Sequence, residues 1–185
     1  MDKFPGLPLT TDRLRLRIMQ PEDAPDLLAI FGNAEVVRYW SHPCWTSLAE
    51  AQAMLARDAT ARQDGTALRL GIEMIEAPRI IGTLSLFNLS AANRRGEIGY
   101  ALARECWGRG LMHEALTRFA GWLFDTLALR RLEADIDPAN RASAASLRRI
   151  GFQREGLLRE RWLIDGTPAD TELYGLLAHE WRAGR

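Results

Sequence analysis

The sequence predicts a single domain of the α/β (α+β) class, with a mixed, mostly antiparallel sheet of seven strands flanked by about four helices. Three observations lead to this prediction. Strands follow one another through short turns in the middle of the chain, helix-capping residues recur between apolar stretches, and one later strand is reached only through a helix. At 185 residues the chain is long enough to bury a full core as one domain over residues 1–185.

The first third of the chain carries one predicted strand and two predicted helices. Polar and apolar residues alternate over residues 11–18, which predicts a half-buried strand. A proline and acidic residues in the first turn predict a helix over residues 21–31. A capping box formed by Ser47 and Glu50 predicts a second helix over about residues 47–62.

Three strands then follow in succession, at residues 68–75, 79–86 and 95–102. Their connections are too short for crossovers, so we expect an antiparallel meander. Apolar residues at helical spacing predict a helix over residues 111–127. The strand at residues 131–136 is reached through that helix, so it should lie parallel to the strand before the helix.

A last helix and a hairpin complete the predicted elements. Asn140 begins a helix that ends at Gly151. Strands over residues 153–164 and 171–177 should then pair as a hairpin around Asp165 and Gly166.

Composition excludes several classes of function. The formal net charge is zero, which gives no bulk attraction to nucleic acid or to an anionic membrane, and we expect neither as a partner. No apolar run approaches the ~18 residues of a membrane span. The two cysteines lack a CxxC spacing and read as reduced thiols of a cytoplasmic protein, and the three histidines lack metal-ligand spacing, so we predict no metal.

A glycine-rich turn, with Gly108 and Gly110 on either side of Arg109, opens directly into the predicted helix at residues 111–127. Free backbone N–H groups and the positive end of a helix both favour an anion such as phosphate. The alternative is a tight turn that needs positive φ and binds nothing. The turn lacks the Gly-Lys-Ser/Thr ending of a P-loop and the βαβ fingerprint of a dinucleotide fold.

The order and spacing of several segments resemble the GNAT superfamily of acetyl-CoA-dependent N-acetyltransferases. Within it, the chain looks like the branch of the ribosomal-protein N-terminal acetyltransferases. The resemblance covers nearly the whole chain, and it is carried by residues 37–40, 96–100, 107–110, 140–143 and 150–152.

The resemblance implies acetyl-CoA as the acetyl donor. It places the pyrophosphate of acetyl-CoA on the turn formed by Arg109, Gly110, Leu111 and Met112. It places the pantetheine arm beside Ala101, Leu102 and Ala103, with Asn140 as a further contact. One departure is Glu105, which stands where the superfamily often has Gln or Arg, although the main donors are backbone N–H groups.

Two side chains are candidates for the chemistry. Glu97 lies on a strand among small neighbours, and a carboxylate there can take a proton from the amine, directly or through water. The alternative is a solvated glutamate paired with an arginine. By resemblance, Ser143 assists the departing thiolate in place of the tyrosine that other branches carry at Leu147; otherwise it only hydrogen-bonds backbone in the first helical turn.

The acceptor is less defined. By resemblance, Trp40 and Trp45 lie in a loop that borders the acceptor site. The acceptor is a protein N-terminal amine, such as that of a ribosomal protein, or alternatively a small amine such as an aminoglycoside, polyamine or amino acid. We expect direct transfer in a ternary complex. A non-catalytic CoA-binding module is the rival reading, and a homodimer is left open.

Overall fold

The computed structural model of the chain describes residues 3–164 and 166–184. Within these residues, eight strands form one sheet. In chain order they are β1 (Leu9–Thr10), β2 (Leu14–Arg17), β3 (Leu68–Met74), β4 (Ile80–Ser90), β5 (Arg95–Leu102), β6 (Arg131–Ile136), β7 (Gln153–Ile164) and β8 (Thr167–Leu177). Their spatial order is β1-β2-β3-β4-β5-β6-β8-β7.

Six α-helices surround the sheet in the same described residues. They are α1 (Ala24–Phe31), α2 (Ala34–Val37), α3 (Leu48–Asp64), α4 (Leu111–Asp125), α5 (Arg141–Arg149) and α6 (Ala178–Ala183), with 3-10 turns at Pro21–Asp23 and Arg104–Cys106. No helix in this part of the chain is both long enough and apolar enough to cross a membrane.

The fold class is confirmed, but the predicted count of seven strands is wrong. The additional strand, β1, has only two residues and pairs with Leu16 and Arg15 of β2. Two residues are too short for an alternating pattern to reveal them. The strand predicted from residue 11 begins at Leu14, because Thr11 forms a turn in which its backbone N–H donates to the Leu14 carbonyl at 2.9 Å.

The prediction of about four helices is also too low, since α2 and α6 add short helices with no readable periodicity. The antiparallel meander of β3, β4 and β5 is confirmed, as is the parallel pairing of β5 with β6. β4 ends at Ser90, four residues later than predicted, and β8 begins at Thr167, four residues earlier than predicted. Of the predicted hairpin turn, Asp165 lies outside the described residues.

The core lies between the sheet and its helices. Helix α4 buries the predicted apolar stripe, which consists of Leu111, Ala115, Phe119, Trp122 and Leu123. Other fully buried large side chains include Phe31, Phe124 and Tyr174. The helix α3 begins at the predicted capping box, where Glu50 accepts a hydrogen bond from the Ser47 N–H at 3.0 Å.

The parallel strands β5 and β6 separate along their length. Their paired positions run from Arg95 opposite Arg131 to Glu97 opposite Glu133. Beyond this point β5 continues on β4 to Leu102, while β6 continues on β8 to Ile136. The described residues therefore leave a gap in the middle of the sheet, immediately after Glu97.

Candidate active site

A cleft of ≈ 420 Å³ opens at the gap between β5 and β6. Consecutive residues of β5, from Glu97 to Tyr100, contribute to its lining together with Asp135 on β6 and Ser143 on α5. Successive residues of a strand point to opposite faces of the sheet. Residues from both faces of β5 can line the same cleft only because β5 and β6 have separated. Tyr100 is thus a cleft residue that the sequence did not indicate.

Glu97 lies half-buried at the point where the pairing of the two strands ends. Burial raises the pKa of its carboxyl, and the nearby carboxylates of Asp135 and Glu133 add to this rise. A hydrogen bond from the Asn88 side chain opposes the rise. A carboxylate whose pKa is moved towards neutrality is a better proton acceptor than an ordinary surface glutamate.

A β-bulge in β4 brings the Asn88 amide to Glu97. The register between β4 and β5 shifts after Phe87, and Asn88 adopts a φ of 49°. Its Nδ2 then donates to Glu97 Oε2 at 2.9 Å. Asparagine tolerates the left-handed region better than most residues, and bulges commonly re-aim a side chain beside active sites. The sequence analysis missed Asn88, because a bulge leaves no signal in the alternation of the strand.

Ser143 lies in the first turn of α5, and polar groups lie within hydrogen-bond distance of three of its atoms. Its backbone N–H donates to Asn140 Oδ1 at 3.1 Å, as expected for a helix N-cap. Its Oγ is 2.7 Å from the Tyr100 hydroxyl, which also lies 3.2 Å from its carbonyl oxygen. The Ser143 hydroxyl is therefore bonded to Tyr100 and not to the backbone of the helical turn. Leu147 is fully buried in the core.

The glycine-rich turn has the backbone that an anion cradle requires. Gly108 and Gly110 have φ values of +73° and +76°, and no heavy atom lies within 4 Å of the position a Cβ would take at Gly108. Gly110 caps α4, and among the described residues no side chain supplies the capping hydrogen bond. The first N–H groups of α4 therefore face outward without an intrahelical acceptor. The backbone of residues 109–112 fits a pyrophosphate group such as that of acetyl-CoA. When bound, acetyl-CoA would supply the activated acetyl group.

Side-chain hydrogen bonds from Arg13 hold this turn. Its Nη1 donates to the Arg109 carbonyl at 3.1 Å, and its Nε donates to Glu114 Oε2 at 2.7 Å. Glu114 also accepts from the Thr11 hydroxyl. Partial burial raises the pKa of Glu114, but these hydrogen bonds outweigh it and leave the pKa lowered. Arg13 thus offsets a negative charge in the first turn of α4 that would otherwise repel an anion.

The remaining predicted cofactor contacts are buried, and some of their backbone groups already form hydrogen bonds within the protein. Ala101, Leu102 and Ala103 are each less than 10% exposed. The Ala103 N–H donates to Ile81 at 2.7 Å, and the Leu102 carbonyl accepts from the Trp107 indole at 2.8 Å. A pantetheine arm would therefore pair with the backbone groups that face the gap beside β5.

The two predicted acceptor tryptophans differ in position. Among the described residues, Trp40 lines the cleft and Trp45 does not. Trp45 packs on Phe31 with ring centroids 4.7 Å apart, and Phe31 in turn contacts Trp40 in an edge-to-face geometry. Trp45 therefore supports the loop, whereas Trp162 of β7, which the sequence did not single out, lines the cleft.

Two other residues near the turn, Glu105 and Cys106, have defined surroundings. Glu105 forms an exposed ion pair with Arg79 at 3.0 Å, and this pair offsets the negative charge of Glu105. Cys106 is buried, and burial raises the pKa of its thiol, which disfavours a thiolate nucleophile. In the described part of the chain, no group of three or more His, Cys, Asp or Glu residues is placed to hold a metal ion.

Comparison with known proteins identifies the class. The family model described as an acetyltransferase (GNAT) domain matches residues 13–153. The uncharacterised N-acetyltransferase YoaA of Bacillus subtilis (strain 168) is 36% identical over 169 residues, which cover 91% of this chain and 96% of that protein. The ribosomal protein uS5-alanine N-acetyltransferase of Escherichia coli (strain K12) is 31% identical over 189 residues, with coverages of 98% and 96%.

A solved structure of the microcin C7 self-immunity acetyltransferase MccE, in complex with acetyl-CoA and AMP, shares the fold. Its TM-score is 0.82 at 20% identity, over 93% of this chain and 99% of that one. The structure thus has the fold of this acetyltransferase. The chain belongs to the GNAT family, and it is an acetyl-CoA-dependent N-acetyltransferase and not a non-catalytic module.

Proposed function

We propose that the chain acetylates the N-terminal amine of a ribosomal protein of the uS5 type by direct transfer in a ternary complex. The observation that carries this proposal is the full-length similarity to the uS5-alanine N-acetyltransferase of Escherichia coli. The cleft supports it because it is open to solvent between β5 and β6, where the end of a polypeptide could enter.

The charges of the cleft favour a protonated amine. Its lining contains four carboxylates, from Glu97, Asp135, Asp137 and Asp170, and two guanidinium groups, from Arg69 and Arg161. An excess of negative charge in a concave, partly desolvated site attracts a cation. The Asp135 carboxylate is held in place by the Trp162 indole N–H at 3.2 Å, so β7 contributes to this acidic wall.

The chemistry assigned to the residues of the cleft is simple. Glu97 accepts a proton from the ammonium group, and the free amine then attacks the acetyl carbon. The turn at residues 109–112 binds the phosphates and fixes the position of the acetyl donor. Cys106 forms no acyl-enzyme, because it is buried in the 3-10 turn Arg104–Cys106 and does not line the cleft.

Small cationic amines are a second candidate class of acceptor. The same carboxylates that would receive a peptide N-terminus would also receive a polyamine or an aminoglycoside, since both carry several ammonium groups. Only the peptide acceptor needs space for a chain that continues out of the cleft.

An acceptor screen separates the two classes. The protein is given acetyl-CoA with a peptide carrying the alanine N-terminus of uS5, with the same peptide blocked at its Nα atom, and with spermidine. Thiol release and product mass are measured, and a Glu97→Gln variant serves as the background. We expect acetylation of the free peptide and none of the blocked peptide. A kcat/KM for spermidine above that for the peptide would assign the small-amine class instead.

A further inference from the structure

A pair of hydroxyl groups at the cleft joins the sheet to helix α5. Tyr100 Oη, on β5, lies 2.7 Å from Ser143 Oγ, on α5. The tyrosine side chain is largely desolvated, while both residues line the cleft. The Asn140 cap fixes the Ser143 backbone from the other side. The position of the serine hydroxyl is therefore determined by contacts from two elements.

Either hydroxyl can donate across the 2.7 Å contact, and the shorter distance and the relative acidity of the two groups favour Tyr100 as the donor. A phenol is a stronger acid than an aliphatic alcohol, so it is the better donor of the two. The other acceptor near Tyr100 is the Ser143 carbonyl, at the longer distance of 3.2 Å. When Tyr100 donates to Ser143 Oγ, the hydrogen of the serine hydroxyl is free to point into the cleft. A chain of two donors also polarises its terminal hydroxyl.

We propose that Tyr100 is a positioning residue, which orients the Ser143 hydroxyl as a hydrogen-bond donor to the departing CoA thiolate, and that the pair stabilises this thiolate without protonating it. This inference rests on the thiolate-assisting role given to Ser143 and extends it to a second residue. It does not depend on which amine is the acceptor.

The acidity of the pair explains why no proton is transferred. Burial raises the pKa of Tyr100 to about 12. An alkyl thiol such as that of cysteine has a pKa of ~8.5, so transfer from Tyr100 to a thiolate is unfavourable by about 10³-fold. The C–N bond forms as the C–S bond breaks, and the electron pair stays on sulfur. Glu97 already holds the proton taken from the ammonium group, so the second nitrogen proton leaves to water as the amide forms. The released thiolate takes its proton from water.

The first test measures the acidity of bound CoA and requires no turnover. The ultraviolet absorbance of the thiolate is followed against pH for CoA bound to the wild type, Tyr100→Phe and Ser143→Ala. We expect Ser143→Ala to raise the pKa of the bound thiol by about one to two units, the value of a lost hydrogen bond to an anion. Tyr100→Phe should raise it by a smaller amount, because the serine donor remains but is no longer oriented.

The second test is a double-mutant cycle on turnover. We expect kcat to fall about 2- to 10-fold in Tyr100→Phe and about 10- to 100-fold in Ser143→Ala, with KM for acetyl-CoA little changed. Because Tyr100 acts through Ser143, the double variant should match Ser143→Ala alone. Tyr174→Phe is the matched control, since it also removes a buried tyrosine hydroxyl, the donor to Glu172, but it lies outside the cleft lining.

Each possible result either supports or contradicts the positioning role of Tyr100. An unchanged thiol pKa in Tyr100→Phe, or additive losses in the double variant, would assign Tyr100 a purely structural role. A basic limb in the wild-type rate that disappears in Tyr100→Phe would make Tyr100 a proton donor and overturn the inference. A wild-type protein that binds CoA but ignores the uS5 peptide contradicts only the proposed acceptor, because the titration of bound CoA still reports on the pair.

Discussion

At the scale of single residues, the environment of Glu97 defines its chemistry. The carboxyl is half-buried between two other carboxylates, and burial raises its pKa above the ordinary value of 4.5. As the pH falls through this raised pKa, Glu97 gains a proton and can no longer act as a base. The acid limb of the rate profile should therefore lie at a higher pH than an exposed glutamate would give.

Replacement of Glu97 by glutamine preserves the shape of the side chain and removes the base. We expect turnover to fall by about 10²–10⁴-fold, the usual contribution of a positioned general base. Affinity for acetyl-CoA should remain nearly unchanged, because Glu97 is not part of the glycine-rich turn. The rate should recover in part at high pH, where the amine is already deprotonated. Wild-type turnover at neutral pH in Glu97→Gln would show that the carboxylate is structural.

The contact from Asn88 predicts a shift in this pH profile. Its hydrogen bond stabilises the charged form of Glu97, so its removal should raise the pKa of Glu97 further. Glycine is the appropriate substitution, because it retains the φ of 49° without strain. In Asn88→Gly the acid limb of kcat/KM should move to higher pH, while the rate on the alkaline side changes little. A profile that superimposes on the wild type would rule out this positioning role.

At the scale of elements, the turn before α4 and the strand β2 form one unit. Arg13, just before β2, donates to the Arg109 carbonyl and to Glu114 in the first turn of α4. The positive φ values of Gly108 and Gly110 then set the direction of the N–H groups at the start of the helix. The proposed anion cradle is thus a helix terminus held by a residue about a hundred positions earlier in the chain.

Substitution of Gly110 by valine tests the cradle. A side chain at this position obstructs the approach of phosphate to the backbone. We expect the affinity for acetyl-CoA to fall by about tenfold or more, which corresponds to one lost charge-assisted hydrogen bond.

Gly166→Val is the matched control, because Gly166 has a φ of +78° and lies in the β7–β8 turn, away from the cradle. Both variants carry the cost of a left-handed residue, about 1–2 kcal/mol. Only Gly110→Val should lose affinity in a calorimetric titration. Undiminished affinity in a folded Gly110→Val protein would show that residues 109–112 do not bind the phosphates of acetyl-CoA.

At the scale of the whole molecule, the proposed site of the acetyl donor spans elements that separate on unfolding. A ligand that binds only the native state stabilises it by mass action, by about 2.7 kcal/mol at a concentration of 100 Kd. For a chain of this length, this predicts a rise in Tm of about 5–10 °C. Differential scanning calorimetry with acetyl-CoA measures the shift. Adenosine, which lacks the phosphates, is the control, and an equal shift with adenosine would place the binding energy elsewhere.

The sequence predicted the elements closely wherever a local pattern specified them. The bounds of β5, β6 and β7 agree with the prediction, and α3 begins at its capping box. Such features depend on periodicity and on caps, which involve residues within a few positions of each other. The two-residue β1 and the short helices α2 and α6 were missed because they span less than one readable period.

The sequence by itself determined the family, the order of strands and helices, the glycine-rich turn and the choice of Glu97 and Ser143 as candidates. The tertiary structure alone decided which side chains meet at the cleft. Tyr100 and Ser143 are 43 residues apart, and Arg13 and Arg109 are 96 apart. The separation of β5 from β6 after Glu97 opens the cleft in which Tyr100 and Ser143 meet, whereas Arg13 meets Arg109 at the glycine-rich turn. Beyond Glu97 each of the two strands packs on a different neighbour. Contacts of this kind depend on how distant segments pack in the complete sheet, so no local sequence pattern predicts them.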